Sequence, residues 1–155
     1  YGDWSSDVCS SDLHESLVML QEEGLEQAWA RHRLHHEAFK AGIEAMGLEF
    51  LVSPANRLPQ MNAVKVPASF APGVEAQLRK RLLADYSMEI GAGLGPLAGK
   101  IWRFGLMGQS CSRANVMSCL GALTCELPEF GVQVKMGDAE QAALNVYNRA
   151  VHQHA

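Results

Sequence analysis

Apolar side chains recur at alternating steps of four and three along residues 14–46, so they share one face of a helix. A stripe of this length predicts a long amphipathic helix that must bury this face against other elements. Gly47 follows at the position where glycine commonly ends a helix, and Gly24 could divide the segment into two helices. The stripe consists of Leu25, Trp29, His32, His36, Phe39, Ile43 and Met46.

Short strand-like segments and further helical segments follow this stripe. The segments with strand-like composition or alternation are residues 48–52, 61–66, 87–90 and 101–107. The segments with helical spacing are residues 72–85, 112–127 and 138–151. The resulting order, α-β-β-α-β-β-α-α, predicts an α+β fold in which helices cover one side of a short sheet.

Residues 1–13 do not match the rest of the chain. They are rich in serine and aspartate, repeat Ser-Ser-Asp, and show neither helical nor strand periodicity. This pattern indicates a non-native leader or a disordered native terminus, and we exclude it from the fold prediction. The domain is therefore expected to comprise residues 14–155.

Charge and hydropathy argue against several classes of partner. The 155 residues carry a formal net charge of −4, so no basic field is available to attract nucleic acid or an anionic membrane. No apolar run approaches the roughly 20 residues that are needed to cross a bilayer. The C-terminal sequence His-Gln-His-Ala does not match the Ser-Lys-Leu peroxisomal signal, so the cytoplasm is the expected location.

Two histidines of the stripe have a spacing that could hold a metal ion. His32 and His36 lie one helical turn apart. Their place on the apolar stripe favours packing positions instead, and no third ligand with a defined spacing is evident. His35 falls on another helical face and is expected in solvent. No metal site is predicted.

Arg103 is the residue most suited to binding a ligand. In the strand predicted over residues 101–107, Trp102, Phe104 and Leu106 share one face, which must be the buried one. Arg103 therefore points the other way, next to the glycine-rich loop of residues 91–99. A guanidinium on such a rigid element can bind a carboxylate through two parallel hydrogen bonds. By spacing alone, a solvated or salt-bridged arginine remains the alternative.

Three stretches of the chain resemble successive stretches of the alanine/serine–glyoxylate aminotransferase family. They are EEGLEQAWARHR (22–33), RLPQMNAVKVPA (57–68) and EIGAGLGPLAGKIWRFGLMG (89–108). This family belongs to class V of the fold-type-I enzymes that use pyridoxal 5′-phosphate (PLP). The resemblance identifies residues 14–155 as a C-terminal small domain, and it implies that Arg103 binds the substrate carboxylate.

The same resemblance implies what lies outside this chain. In the family, the lysine that anchors PLP and the other cofactor ligands belong to a large domain that precedes the first matching stretch. No catalytic or cofactor-binding residue is therefore assigned here, and the chain alone is expected to be inactive. The full enzyme is expected to be a homodimer that moves an amino group from alanine or serine to glyoxylate or pyruvate.

A second hypothesis comes from a different functional class. The chain could be a non-catalytic binding or regulatory domain that docks a partner chain through the apolar stripe of its first helix. An upstream reading frame encoding a lysine-bearing large domain would decide between the two hypotheses.

Overall fold

The computed structural model describes residues 6–153, with side chains described for residues 12–152. Its described residues divide into two compact units, the first ending at residue 31 and the second beginning at residue 32. Among the described residues, no helix combines the length and the apolar character that crossing a membrane requires.

The first unit contains helix α1 (Ser6–Glu23) and the first turns of helix α2 (Leu25–Ala45). Gly24 separates the two helices at φ +86, a left-handed conformation that favours glycine. The break proposed at this glycine is therefore present. The lack of helical periodicity in residues 1–13 was misleading, because α1 already begins at Ser6, while residues 1–5 lie outside the described part. The non-native origin of residues 1–13 stays a prediction.

The second unit is built on a three-stranded antiparallel sheet in the order β1-β3-β2. Its strands are β1 (Met61–Lys65), β2 (Gly91–Ala92) and β3 (Ile101–Gly105). The remaining helices are α3 (Val74–Tyr86), α4 (Arg113–Glu126) and α5 (Asp138–Gln153). The predicted α+β class is confirmed. The element order of the described residues is α-α-β-α-β-β-α-α, which differs from the prediction in having two helices before the first strand and one strand fewer.

Two predicted strands are not regular strands. Residues 48–52 contribute only an isolated bridge between Phe50 and Val64, and the 3-10 turn at Pro54 soon ends the pairing. Residues 87–90 close helix α3 instead. Ser87 adopts a left-handed conformation at φ 52, and the amide of Met88 returns to the carbonyl of Leu82 at 3.1 Å. This helix-ending turn contains Ser87 and Met88, the first two of the residues that sequence alone assigned to a strand.

One face of the sheet and the inner faces of the helical segments of the second unit form a single core. The apolar stripe of α2 contributes to it only from His32 onward, since Phe39 and Ile43 are buried whereas Leu25 and Trp29, in the first unit, are more than half exposed. The stripe is therefore divided between a buried part and an exposed part. The largest fully buried side chains are Trp102, Phe39, Ile43, Leu78, Leu82, Leu120, Leu123 and Leu127.

Helices α2 and α4 pack closely because a glycine lies at their contact. A Cβ atom added at Gly42 would lie 2.4 Å from Cδ1 and 2.6 Å from Cδ2 of Leu120, and both residues are buried. The backbone conformation of Gly42 does not itself require glycine, since its φ is not positive. Glycine is therefore favoured at this position because a larger residue would collide with the side chain of Leu120.

Gly42→Ala is expected to destabilise the chain by about 1–2 kcal/mol, because overpacking a core outweighs the helix propensity gained by alanine. Urea unfolding of the parent and the variant measures this difference. Gly121→Ala in α4 is the matched control: its Cβ would meet nothing closer than 3.7 Å, so it should be neutral or slightly stabilising. In a Leu120→Ala background, Gly42→Ala should lower the free energy of unfolding only slightly. An equal cost in both backgrounds would contradict the packing explanation.

Candidate functional site

Arg103 lies in the central strand, between two small residues. In the antiparallel register it is opposite Ala63 of β1 on one side and Gly91 of β2 on the other. Residues directly opposite each other point to the same face of a sheet, so the guanidinium has small neighbours on both sides. Trp102 and Phe104 point into the core and are 0% and 4% exposed. The predicted alternation of buried and outward residues in this strand is confirmed.

The guanidinium of Arg103 is half-buried and held at one atom. Its Nε donates a hydrogen bond to the carbonyl oxygen of Ala92 at 2.7 Å. Within the part of the chain that the structure describes, Nη1 and Nη2 make no hydrogen bond or ion pair. The backbone of β2 therefore orients the guanidinium of Arg103 and leaves its Nη1 and Nη2 atoms available to a ligand.

Every other half-buried lysine or arginine of the described chain is paired with a carboxylate, whereas Arg103 is not. In each of these pairs, a carboxylate oxygen lies within 3.8 Å of a side-chain nitrogen of the cation. Removing a cation partly from water is costly unless an anion compensates it. Arg103 alone among these described residues lacks that compensation, which is typical of a site that receives a charged ligand. The compensated residues are Arg31, Lys40, Arg57, Arg79 and Arg81.

Lys65 is on the same face of the sheet but is not equivalent to Arg103. It is exposed, at the end of β1, and its Nζ lies 2.9 Å from the carboxylate of Glu49. Hydrogen bonding and attraction from Lys65 lower the pKa of Glu49. Arg103 is thus the cation of this face whose charge is available to a ligand.

The glycine-rich loop between β2 and β3 is a compact turn beside Arg103. Its 3-10 turn (Gly95–Leu97) is closed by backbone hydrogen bonds, and the amide of Gly93 donates to the carbonyl of Ile101 at 3.1 Å. A Cβ at Gly93 would lie 2.0 Å from the carbonyl oxygen of Leu97, so only glycine fits. The loop exposes Leu94 and Leu97 at the surface. It joins two strands and opens no helix, unlike a dinucleotide-binding loop.

The stripe histidines are packing residues. His32 and His36 are both buried, as predicted. The Nδ1 of His36 lies 2.7 Å from Oδ1 of Asn62, an amide oxygen that only accepts, so this ring nitrogen donates. The amide nitrogen of Asn62 donates in turn to the carbonyl of Pro59. Asn62 is 1% exposed, and sequence reasoning missed its role because nothing local marks a polar strand residue as a partner of a distant helix.

The prediction for His35 is wrong. It is 8% exposed, and its Nδ1 is hydrogen-bonded to the hydroxyl of Tyr147 at 2.9 Å. Helix α5 brings Tyr147 against the side of α2 that the sequence assigned to solvent. Burial raises the pKa of Tyr147 to about 12, so the phenol remains protonated at neutral pH. The contact is structural, and within the described residues no group of three or more potential ligands could hold a metal ion.

The lysines do not offer a site for a covalently bound aldehyde cofactor. Lys65, Lys80, Lys100 and Lys135 are exposed, and Lys40 is paired with Glu37. An amine that forms a Schiff base is usually enclosed, since burial lowers its pKa and frees its lone pair. None of these lysines has such surroundings.

Comparison with known proteins shows similarity to aminotransferases. It is 41% identical over 144 residues to (S)-ureidoglycine–glyoxylate transaminase of Bacillus subtilis, covering 92% of this chain and 34% of the relative. It is 39% identical over 105 residues to alanine–glyoxylate aminotransferase of Oryctolagus cuniculus, covering 67% of this chain and 26% of the relative. No family model matches the chain.

Solved structures give the same result. The crystal structure of ureidoglycine–glyoxylate aminotransferase from Bacillus subtilis matches with a TM-score of 0.82 at 40% identity, covering 88% of this chain and 34% of that one. Pyridoxamine–pyruvate aminotransferase from Mesorhizobium loti matches with a TM-score of 0.80 at 32% identity, covering 86% and 34%. The chain thus spans about a third of the length of these relatives.

Proposed function

We propose that this chain, which belongs to the alanine/serine–glyoxylate aminotransferase family, is the substrate-binding small domain of a longer PLP-dependent transaminase. In this proposal, Arg103 binds the carboxylate of the amino acid and of the 2-oxo acid. The enzymes of this family depend on PLP. The longer enzyme is proposed to be a cytoplasmic homodimer.

The observation that carries this proposal is the uncompensated charge of Arg103. Its Nε is occupied by the carbonyl of Ala92, so the edge formed by Nη1 and Nη2 is the one left for a two-point contact. A carboxylate fits this edge through two parallel hydrogen bonds and supplies the missing negative charge. Arg103 would thereby fix the orientation of the substrate, which is a contribution to positioning and not to proton transfer.

Most substrates named for the relatives share the group that Arg103 would bind; pyridoxamine, named for the Mesorhizobium loti enzyme, has no carboxylate and is the exception. Glyoxylate, pyruvate, alanine and (S)-ureidoglycine all carry a carboxylate, whatever else distinguishes them. We propose alanine or serine as the amino donor and glyoxylate or pyruvate as the acceptor. The 41% identity to the Bacillus subtilis enzyme makes (S)-ureidoglycine a second candidate donor.

The direct test is amino transfer by the longer enzyme that carries this chain. Alanine, serine and (S)-ureidoglycine would each be paired with glyoxylate and with pyruvate, and formation of the product amino acid would be measured. Transfer with at least one pair is expected. Failure with every pair, in an enzyme that has taken up PLP, would contradict the proposed activity.

The residues present do not fit the cofactor, so its anchoring lysine is proposed to lie in the remaining part of the enzyme. The 155-residue chain alone, incubated with PLP and reduced with borohydride, is therefore expected to show no stoichiometric label on any lysine. Mass spectrometry of the intact chain and of its peptides measures this. Unfolded chain serves as a control for background labelling. A single lysine labelled to completion would show that the chain holds PLP itself.

The alternative of a non-catalytic docking domain receives less support. Five of the seven residues of the stripe on which it relied, Phe39 and Ile43 among them, are buried and cannot contact a partner. What remains exposed of that stripe is Leu25 and Trp29 in the first unit.

A further inference from the structure

We propose that Gly91 is a positioning residue of this site: the absence of a side chain at Gly91 keeps the guanidinium of Arg103 in the orientation that presents its Nη1–Nη2 edge to a carboxylate. This inference rests on the proposed function of Arg103 and extends it to a residue that would not itself touch the substrate.

The arginine side chain lies directly across Gly91. A Cβ built on Gly91 would be 3.3 Å from each of three atoms of Arg103, namely Cβ, Nε and Nη2. The register explains this closeness, since Gly91 is the residue of β2 directly opposite Arg103. Contacts of 3.3 Å are tighter than ordinary van der Waals contacts, so a side chain at this position would push the guanidinium away from β2.

The backbone gives no other reason for glycine at this position. Gly91 does not have a positive φ, in contrast to Gly95 and Gly99 of the same loop, so an L-residue could adopt its conformation. Space for the side chain of Arg103 is therefore what the glycine provides.

A displaced guanidinium would lose the orientation on which a two-point contact depends. The hydrogen bond from Nε to the carbonyl of Ala92, at 2.7 Å, is the contact that fixes the plane of the fork. Moving Nε by a few tenths of an ångström weakens this bond and displaces the outer nitrogens with it. Two parallel hydrogen bonds require a defined plane and direction, so binding of a carboxylate should weaken.

Gly105 provides a matched control on the same face. It lies two residues after Arg103 in β3, opposite Met61, and like Gly91 has no positive φ. A Cβ at Gly105 would meet only Cε of Met107, at 3.9 Å. Gly91→Ala and Gly105→Ala therefore make the same chemical change in the same sheet, and only the first of them crowds Arg103.

The test uses the longer, PLP-loaded enzyme with Gly91→Ala, Gly91→Val and Gly105→Ala. Because small misplacements of a binding group cost substantial affinity, Gly91→Ala should raise KM for amino acid and 2-oxo acid by about three- to tenfold, and Gly91→Val by more. PLP uptake, followed by its absorbance, should match the parent. Gly105→Ala should stay within about twofold of the parent KM by the same reasoning.

A double-mutant cycle separates an effect through Arg103 from a general effect on the fold. In an Arg103→Ala background, Gly91→Ala should cause no further rise in KM. In an Arg103→Lys background its effect should shrink, because lysine lacks the Nη2 atom that the new Cβ would crowd and the planar fork whose orientation it would disturb. If Gly91→Val impairs folding, the alanine variant and these two backgrounds still give the answer.

The outcomes distinguish this inference from the proposed function. If Arg103→Ala weakens substrate binding but Gly91→Ala and Gly91→Val leave KM unchanged, the role of Gly91 is overturned and that of Arg103 stands. Equal effects of Gly91→Ala with and without Arg103 would also overturn it. If the Arg103→Ala enzyme binds substrate as the parent does, the proposed role of Arg103 is itself wrong, and the role of Gly91 that rests on it is wrong as well.

Discussion

An Arg103→Ala enzyme should lose about ten- to a hundredfold or more in kcat/KM, because a charge-assisted hydrogen bond to a carboxylate contributes roughly 1.5–3 kcal/mol. PLP uptake should be unchanged, since the proposed cofactor ligands lie outside this chain. Steady-state kinetics with the amino donor varied, together with the absorbance of the bound cofactor, measure the two quantities. The loss is expected because no second unpaired cation on this face of the sheet, among the described residues, could replace Arg103.

Two variants test the chemistry of this loss. Arg103→Lys should recover only part of the activity, since an ammonium keeps the charge but lacks the planar fork and the Nε that binds the carbonyl of Ala92. Lys100→Ala removes an exposed cation at the end of the adjoining loop and should cost much less. If Arg103→Ala turned over alanine, serine and (S)-ureidoglycine as the parent does, its assignment to the carboxylate would be wrong.

Trp102→Ala should destabilise the chain by about 3–5 kcal/mol, the usual cost of removing a fully buried aromatic side chain. Trp102 is 0% exposed, sits in the central strand opposite Val64, and packs edge-on against Phe70 with ring centroids 5.9 Å apart. Its loss would leave a cavity between the sheet and the surrounding helices. Equilibrium unfolding in urea gives the difference in the free energy of unfolding.

Trp102→Phe should lower the free energy of unfolding far less than Trp102→Ala does. The buried Nε1–H of Trp102 has no hydrogen-bond partner within the described chain, so its removal relieves a desolvation penalty of about 1–3 kcal/mol. That gain offsets part of the volume lost with the smaller ring. Comparable destabilisation by both substitutions would mean that the indole nitrogen has a partner, such as a water molecule, that stabilises the native state.

Features that depend on local periodicity could be predicted from the amino-acid sequence. The alternation in β3, with Trp102 inward and Arg103 outward, follows from the two-residue period of a strand and is present as predicted. The helical stripe similarly predicted buried positions for Phe39 and Ile43. The similarity of three short stretches to one family then pointed to Arg103 as the substrate-binding candidate, and the relationship to that family is borne out.

The partners of these residues could not be predicted, because they come from distant parts of the chain that the fold brings together. His35 is buried because α5, more than a hundred positions later in the chain, covers its side of α2 with Tyr147. Arg103 is distinctive because no carboxylate of the described residues pairs with it, while Gly91 and Ala92 of a two-residue strand shape and orient its side chain. Burial and charge compensation arise from residues that are far apart in the chain, so a local pattern can place a side chain on a face but cannot supply its neighbours.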